Sequence, residues 1–370
     1  MVGNRKEEVD FVKQIAAGLA IIMIYSALAG YIGWAVYVWL LSFSLPVNGW
    51  LFAFLWMVLA FSYLIGVLGH KWLGFTIVGS YWFAFFQYAL LLVPIAHLAV
   101  LAIDHPREVQ IIGWGATFLF GVIFSIGTFL AYSPVIRHKE FIVKGSGEDL
   151  NVVIASDFHL GILSGRRHLE RFVAMSNKLE PDLVLLAGDL VDDDPIWYAR
   201  YGMSEVMRKL TSKHGVYGIL GNHEYYGKKI PLLVRVMEES GVKILRDETI
   251  EIGNKLYLTG REERTNRNRQ ALERLKPLGN LPWIVMDHTP SDLKTPVELG
   301  ADFHISGHTH KGQMWPNHLI TRKIFELDYG YLQKKNTHFL VSSGFGFWGP
   351  PIRIGSRSEL WIVRIKFENT

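Results

Sequence analysis

Leu183-Val184-Leu185-Leu186-Ala187-Gly188-Asp189 and Phe303-His304-Ile305-Ser306-Gly307-His308-Thr309-His310 each run a short apolar segment straight into oxygen- or imidazole-bearing side chains. Three more segments repeat the habit. Leu150–Ala155 leads to Asp157-Phe158-His159, Val216–Leu220 to Gly221-Asn222-His223-Glu224, and Trp283–Met286 to Asp287-His288. Runs of four to six apolar residues closed by glycine or polar loops read as buried strands. Amphipathic stretches at Arg166–Leu179 and Met203–Leu210 separate the first three, and the first of these stops at Glu180-Pro181. Val242–Leu245, Thr249–Ile252, Lys255–Thr259, His338–Ser342 and Glu359–Phe367 add strands, with a Gly253-Asn254 turn inside one hairpin. Strands alternating with helices, then strands nearly alone, predict two mixed β-sheets flanked by helices over residues 149–370.

Upstream the chain changes character. No Asp, Glu, Lys or Arg occurs from Gln14 to His70, from Trp72 to Ile103, or from Val109 to Ile136. About 20 apolar residues make a helix that crosses a bilayer. Residues 1–136 therefore read as a multi-pass helical membrane domain with four spans, Ile15–Leu41, Trp50–Leu68, Phe75–Ile103 and Ile111–Tyr132, and residues 137–148 as a linker. Pro94 is a potential kink in the third span. Arg5, Lys6, Lys13, Lys71, Arg137, Lys139 and Lys144 lie on one side of these spans and Arg107 on the other. The positive-inside rule then places the second domain on the cytoplasmic side of a cell (inner) membrane. Gln87 and His97, polar groups inside the third span, read as interhelical hydrogen-bond partners or as part of a lipid or ion path.

The loop residues have a common chemistry. Side chains two apart on an extended segment share a side, so Asp157 with His159, and His308 with His310, can reach one ion. Asp189 projects from a strand end, either as a ligand or as a helix-capping loop residue, the reading that also suits Asp192, Asp193 and Asp194. Asn222 offers a neutral carbonyl oxygen to a hard cation, and His223 beside it can protonate or stabilise a substrate oxygen. His304 reads as a support for a ligand, not as a ligand itself. The chain has no cysteine, so any metal site must use nitrogen and oxygen donors.

In this order the motifs resemble the calcineurin-like metallophosphoesterase superfamily, over about Leu150 to Phe367. Ser306–Gln313, Ser343-Gly344 and Pro351-Ile352-Arg353 are similar to a bacterial phosphodiesterase branch with membrane-attached members. The resemblance implies one cation on Asp157, His159, Asp189 and His310 and a second on Asp189, Asn222, His288 and His308, with Asp189 bridging. Mn, Fe or Zn are the metals it implies, and it assigns His223 to the substrate. Two such ions about 4 Å apart would yield hydroxide at neutral pH and clamp a phosphate for hydrolysis. A membrane tether directs this expectation to a phospholipid or lipid-linked phosphate. A soluble phosphodiester or nucleotide, and a non-catalytic membrane sensor or transport component, are the alternatives. Nucleic acid is not an expected partner, because no long basic groove is evident, and no oligomeric state is specified.

Lys311 departs from the branch, which commonly has glycine there; it reads as a substrate-phosphate or lipid-headgroup contact or as a solvated lysine. Arg261, Arg264, Arg267, Arg269 and Arg274 read as the polar face of a helix or as a border to an anionic substrate or the cytoplasmic leaflet. Phe345–Pro351 is an aromatic loop that either packs on the domain or enters a membrane interface.

Overall fold

The computed structural model of the 370-residue chain describes residues 2–68, 72–103, 105–145 and 148–368, with side chains from residue 13. His70, Lys71 and Asp104, expected in the breaks between spans, and the side chains of Arg5 and Lys6 lie outside the described residues. Two compact units divide the chain, residues 1–125 and 126–370.

The first unit contains α1 (Val2–Leu41), α2 (Gly49–Ala60), α3 (Ser62–Leu68), α4 (Leu73–Ala102) and most of α5 (Glu108–Tyr132). Among the described residues three helices are long and apolar enough on their own to cross a membrane: α1 from Lys13, α4 and α5. The expected span Trp50–Leu68 is not a single helix, because α2 and α3 meet at a bend of 57° around Phe61. Ser62 Oγ takes the Leu59 carbonyl freed there, at 2.6 Å, and α3 then runs along α4. Helix α4 continues through Pro94. Several polar groups here are paired, as a low-dielectric setting favours. Tyr31 Oη and His97 Nδ1 join α1 to α4 at 2.7 Å, and Trp82 Nε1 donates to Tyr25 Oη at 2.7 Å. His97 is thus the interhelical partner that one of its two readings expected.

In the second unit, β1 (Val135–Lys144) and β2 (Leu150–Ala155) are followed by α6 (Arg166–Asn177), β3 (Leu183–Ala187), α7 (Ile196–Arg200) and α8 (Met203–Met207). Then come β4 (Val216–Ile219), α9 (Asn222–Tyr226), α10 (Ile230–Glu239), β5 (Val242–Ile244), β6 (Glu248–Ile252) and β7 (Leu256–Gly260). β8 (Trp283–Met286), α11 (Lys294–Leu299), β9 (Phe303–Ser306), α12 (His318–Ile324), β10 (Gly330–Lys334), β11 (Thr337–Val341) and β12 (Glu359–Glu368) complete it. One sheet has the order β1-β12-β2-β3-β4-β5 and the other β10-β11-β9-β8-β7-β6.

Strand periodicity decides the layers. Along β2, Val152 and Ile154 enter a core shared with the second sheet (Leu258, Met286, Ile305), whereas Val153 and Ala155 face helix residues Leu169, Phe172 and Met237. Strands buried on both faces explain the continuous apolar runs. The expected Gly253-Asn254 turn forms with φ of 55° and 54°, the left-handed pair that suits a tight hairpin.

Most of the expected linker, 137–148, is strand instead. Arg137 to Lys144 lie in β1, which pairs in parallel along all of β12, Val135 with Glu359 through Lys144 with Glu368. The charges along the segment hid the strand, because β1 is an edge with only Phe141 and Val143 buried. Just upstream, the last turn of α5 docks into the second unit. Arg353 N donates to Gly127 O at 3.0 Å, Ser358 N to Leu130 O at 3.2 Å and Ser358 Oγ to Ala131 O at 2.6 Å. The bonds to Leu130 and Ala131 satisfy carbonyls that a helix end leaves open.

Phe141 stacks on His338 with centroids 4.1 Å apart and meets Phe303 edge-on at 4.8 Å. Phe141→Ala is expected to cost about 3–5 kcal/mol, read as a lower melting temperature of the purified protein. Ile142→Ala, on the exposed side of the same strand, should cost less than about 0.5 kcal/mol. Equally small shifts from both would return this segment to a linker.

Candidate metal centre

Every candidate ligand sits just beyond the C-terminal end of a strand. Asp157 and His159 follow β2, Asp189 follows β3, and Asn222 opens α9 after β4; His288 follows β8, and His308 and His310 follow β9. β2, β3 and β4 run parallel in one sheet, β8 and β9 in the other, so the two sheets deliver their loops to one edge of the sandwich.

The donor atoms converge. His159 Nε2 lies 3.1 Å from His310 Nε2 and 3.7 Å from Asp189 Oδ2, and His310 Nε2 lies 3.4 Å from Asp157 Oδ1. On the other side His288 Nε2 is 3.2 Å from Asp189 Oδ2, and His308 Nδ1 is 2.8 Å from Asn222 Oδ1. Ligands bonded at about 2.0–2.2 Å to one cation stand roughly 3.0–3.4 Å apart, which is close to the spacing seen. His288 Nε2 is also fully enclosed without a hydrogen-bond partner of good geometry. Enclosed nitrogen and oxygen donors at this spacing fit a hard cation. Asp157, His159 and His310 form one cluster able to hold a metal, and Asp157, Asp189 and His288 another. His159, Asp192 and His223 also cluster, but there the 2.7 Å contact of His223 Nδ1 with Asp193 Oδ1 is a hydrogen bond that occupies the ring nitrogen.

Backbone strain accompanies this convergence. Asp157, His159, Asp189, His308 and His310 have φ of 52°, 45°, 50°, 71° and 48°. Non-glycine residues held there cost on the order of 1–3 kcal/mol each and persist only where the surroundings enforce them. Enforcement is visible. Asp157 accepts from Ser156 Oγ and from His308 N at 2.9 Å, and Asp189 Oδ1 accepts from His223 N at 3.0 Å. Glu224, itself buried, takes Gly221 N at 2.6 Å and Val191 N at 3.0 Å, tying the Asn222-His223 turn to the loop after Asp189.

Protonation follows burial and neighbouring charge. Burial pulls the imidazoles of His159 and His308 down to about 3 and about 4, and that of His310 well below its usual value, so all three are neutral donors at pH 7. Burial raises Asp157 to about 6, partly offset by His288. Burial also opposes ionisation of Asp189, yet His288 and His159 hold it below the usual carboxylate range. Burial disfavours a charged His288 too, but Asp189 and Asp157 outweigh it and raise the imidazole to about 10. A proton on His288 neutralises the buried carboxylates as a cation would, so proton and cation compete for this position. His223 rises to about 9; its burial is outweighed by the bond to Asp193 and the charges of Asp189, Asp193 and Asp192.

Several neighbours escaped the sequence reading. Asp193 is not a generic loop residue but the partner of His223. Arg353, the largest fully enclosed side chain, donates to Ser343 O and Gly346 O at 2.7 Å each and stands 3.2 Å from His310 Nδ1. The arginine run is no helix face. Arg261 and Arg269 both grip Asp287, next to His288, the former at 3.0 Å, and helical turns appear only at Leu272–Arg274. A periodicity missing from Arg261 to Arg269 was the available signal. His304 is buried against Phe339 behind the ligand loop, with its pKa lowered to about 4 by burial. Lys311 points away from the candidate ligands, its Nζ lying 4.4 Å above the Tyr329 ring. Its φ of 53° is one that glycine takes without cost, which accounts for glycine as the common residue there. In the Phe345–Pro351 loop Phe345 and Phe347 are buried, whereas Trp348 is 57% exposed.

The family model for calcineurin-like phosphoesterases matches residues 150–312, the stretch that carries all of the candidate ligands. Residues 150–312 are thus similar to calcineurin-like phosphoesterases. The chain is 29% identical over 246 residues to an uncharacterized metallophosphoesterase of Helicobacter pylori, covering 64% of this chain and 65% of that one. It is 30% identical over 240 residues to a Bos taurus transmembrane protein with metallophosphoesterase domain, covering 58% and 52%. The chain thus spans somewhat less than two thirds of the length of these relatives. Among solved structures, TT1561 of Thermus thermophilus aligns at 12% identity and a TM-score of 0.36, over 53% of this chain and 91% of that one.

Gly221 packs directly against Asp189. A Cβ there would lie 2.1 Å from Asp189 Oδ1 and 2.5 Å from Asp189 N. Gly221→Ala is expected to displace Asp189 and to lower bound metal per chain. Unchanged metal content by elemental analysis would show that the loop can yield.

Proposed function

We propose that this chain hydrolyses phosphate esters at a two-cation centre. Asp157, His159, Asp189 and His310 would hold one ion and Asp189, Asn222, His288 and His308 the other, with Asp189 shared. The observation that carries this reading is the convergence of seven N/O donors from two sheets at 2.8–3.7 Å. Bound Mn, Fe or Zn would acidify water as the nucleophile and neutralise the phosphate.

The rest of the work falls to side chains. His223, with Nδ1 committed to Asp193 at 2.7 Å and its pKa raised to about 9, is protonated at neutral pH. Its Nε2 is then the donor for the leaving oxygen. Asp193 fixes the ring direction and stabilises the charge. Arg353 steadies the 343–346 loop against His310.

For substrate, we infer a phosphate attached to an apolar group, such as a phospholipid or lipid-linked phosphate, met at the cytoplasmic face of a membrane. Two observations support this. Trp348 and Tyr226 flank His223 at 6.2 and 5.4 Å between ring centroids and are both 57% exposed, an apolar rim beside the proposed acid. The last turn of a helix apolar enough to span a bilayer is bonded into the same unit as the site.

Elemental analysis paired with turnover of a chromogenic phosphodiester tests the chemistry. Asp189→Asn should lose metal and reduce activity by more than about 100-fold. His223→Ala should keep its metal and lose about 100- to 10,000-fold in rate. Full metal and full activity in Asp189→Asn would remove the two-cation reading. Detergent-dispersed phospholipid should be cleaved faster than soluble nucleotides, and equal rates would count against the lipid assignment.

A further inference from the structure

Apart from the metal centre, the second unit has a basic pocket of about 250 Å³ where α5 ends. Its walls include Leu130 from the last turn of α5, Arg137 from β1, Lys311, Tyr329, Ser343 and Arg357. No candidate metal ligand lines it. We propose that this pocket binds the phosphate of an anionic lipid headgroup, held at the membrane surface and not hydrolysed.

Charge is the first argument. Three cations line the pocket, and the carboxylate engaged with them is Glu359, buried and 3.3 Å from Arg137 Nε. That carboxylate is already in use, accepting from Tyr329 Oη at 3.0 Å, Ser343 N at 3.1 Å and Trp361 Nε1 at 2.8 Å. Among the described residues neither Lys311 nor Arg357 has an ion pair. Arg357 donates to Ser133 O at 2.8 Å and to Ser133 Oγ at 3.1 Å, and lies over the Phe129 ring at 5.4 Å. Lys311 rests on the Tyr329 ring. Two half-buried cations held by neutral partners retain their attraction for an anion.

Place is the second argument. Phe129 and Leu130 belong to α5, whose apolar length spans a bilayer and ends at Tyr132, so the pocket opens where that helix leaves the hydrocarbon. Basic pockets at such exits meet headgroups of the anionic leaflet. Size is the third. At about 250 Å³ the pocket falls below the roughly 300–1,000 Å³ of sites for drug-sized molecules and suits a phosphate and its first carbons. Leu130 gives those carbons an apolar wall. The proposal needs α5 to be a span but does not rest on hydrolysis, so the two readings fail separately.

The test uses the full chain in detergent, titrated with fluorescent phosphatidylglycerol or phosphatidylcholine. Phosphatidylglycerol should bind more tightly, and Lys311→Gln and Arg357→Gln should each weaken it roughly fivefold while leaving phosphatidylcholine unaffected. Lys311→Arg should restore binding. Lys311 makes no ion pair, so its Gln variant should keep the melting temperature and metal content of the parent, even if Arg357→Gln loosens the Ser133 contact. Lys276→Gln, and separately Lys209→Gln, changes the same net charge away from the pocket. An equal loss there would make the effect bulk electrostatics and overturn the proposal. Displacement of the lipid by millimolar inorganic phosphate, sensitive to the same substitutions, would assign the pocket to soluble phosphate and overturn the lipid source.

Discussion

Asp189 is the constraint on which the second unit depends. It lies enclosed where the two sheets meet, with one oxygen bound to the backbone of His223 and the other facing His288 and His159. An ionised carboxylate in that position is costly unless compensated. The compensation comes from both sheets at once: β4 delivers the loop with His223, β2 the loop with His159, and β8 the loop with His288. A buried charge thus makes the packing of the sheets and the assembly of the site one requirement. The left-handed backbone at five of the ligand positions belongs to the same requirement, because loops relaxed to ordinary φ values would carry the side chains elsewhere.

Around that carboxylate the polar neighbours divide their work. Glu224 and Ser156 fix backbone and carboxylate orientation, Arg261 and Arg269 fix Asp287 beside His288, and Arg353 ties the 343–346 loop to His310. None of these need touch a substrate. Together they remove the freedom that would let the seven candidate ligands relax apart, which is what a preorganised cation site requires.

The strands ahead of each motif were legible because burial on both faces leaves long apolar runs, and β2, β3, β8 and β9 lie where those runs end. The candidate donors were legible because chemistry limits the side chains that can serve. β1 was not legible, since an edge strand rich in charge resembles a linker until β12, more than 200 residues later, supplies its partner. The break at Phe61 was equally hidden: an unbroken apolar composition from Trp50 to Leu68 does not encode a bend. Asp193 and Lys311 show the same limit at single residues. Asp193 looked like one loop carboxylate among three, and Lys311 looked like a rim residue of the site, yet their side chains are directed by contacts with His223 and Tyr329.

The sequence by itself determined the class of fold, the membrane-length helices and the set of candidate ligands, because these follow from local periodicity and from the chemistry of donor atoms. Only the tertiary structure decided which residues support the ligands, which way Lys311 points, and that Arg137, Lys311 and Arg357 share one pocket. Those outcomes depend on contacts between residues up to about two hundred positions apart, and no local pattern carries the distance between them.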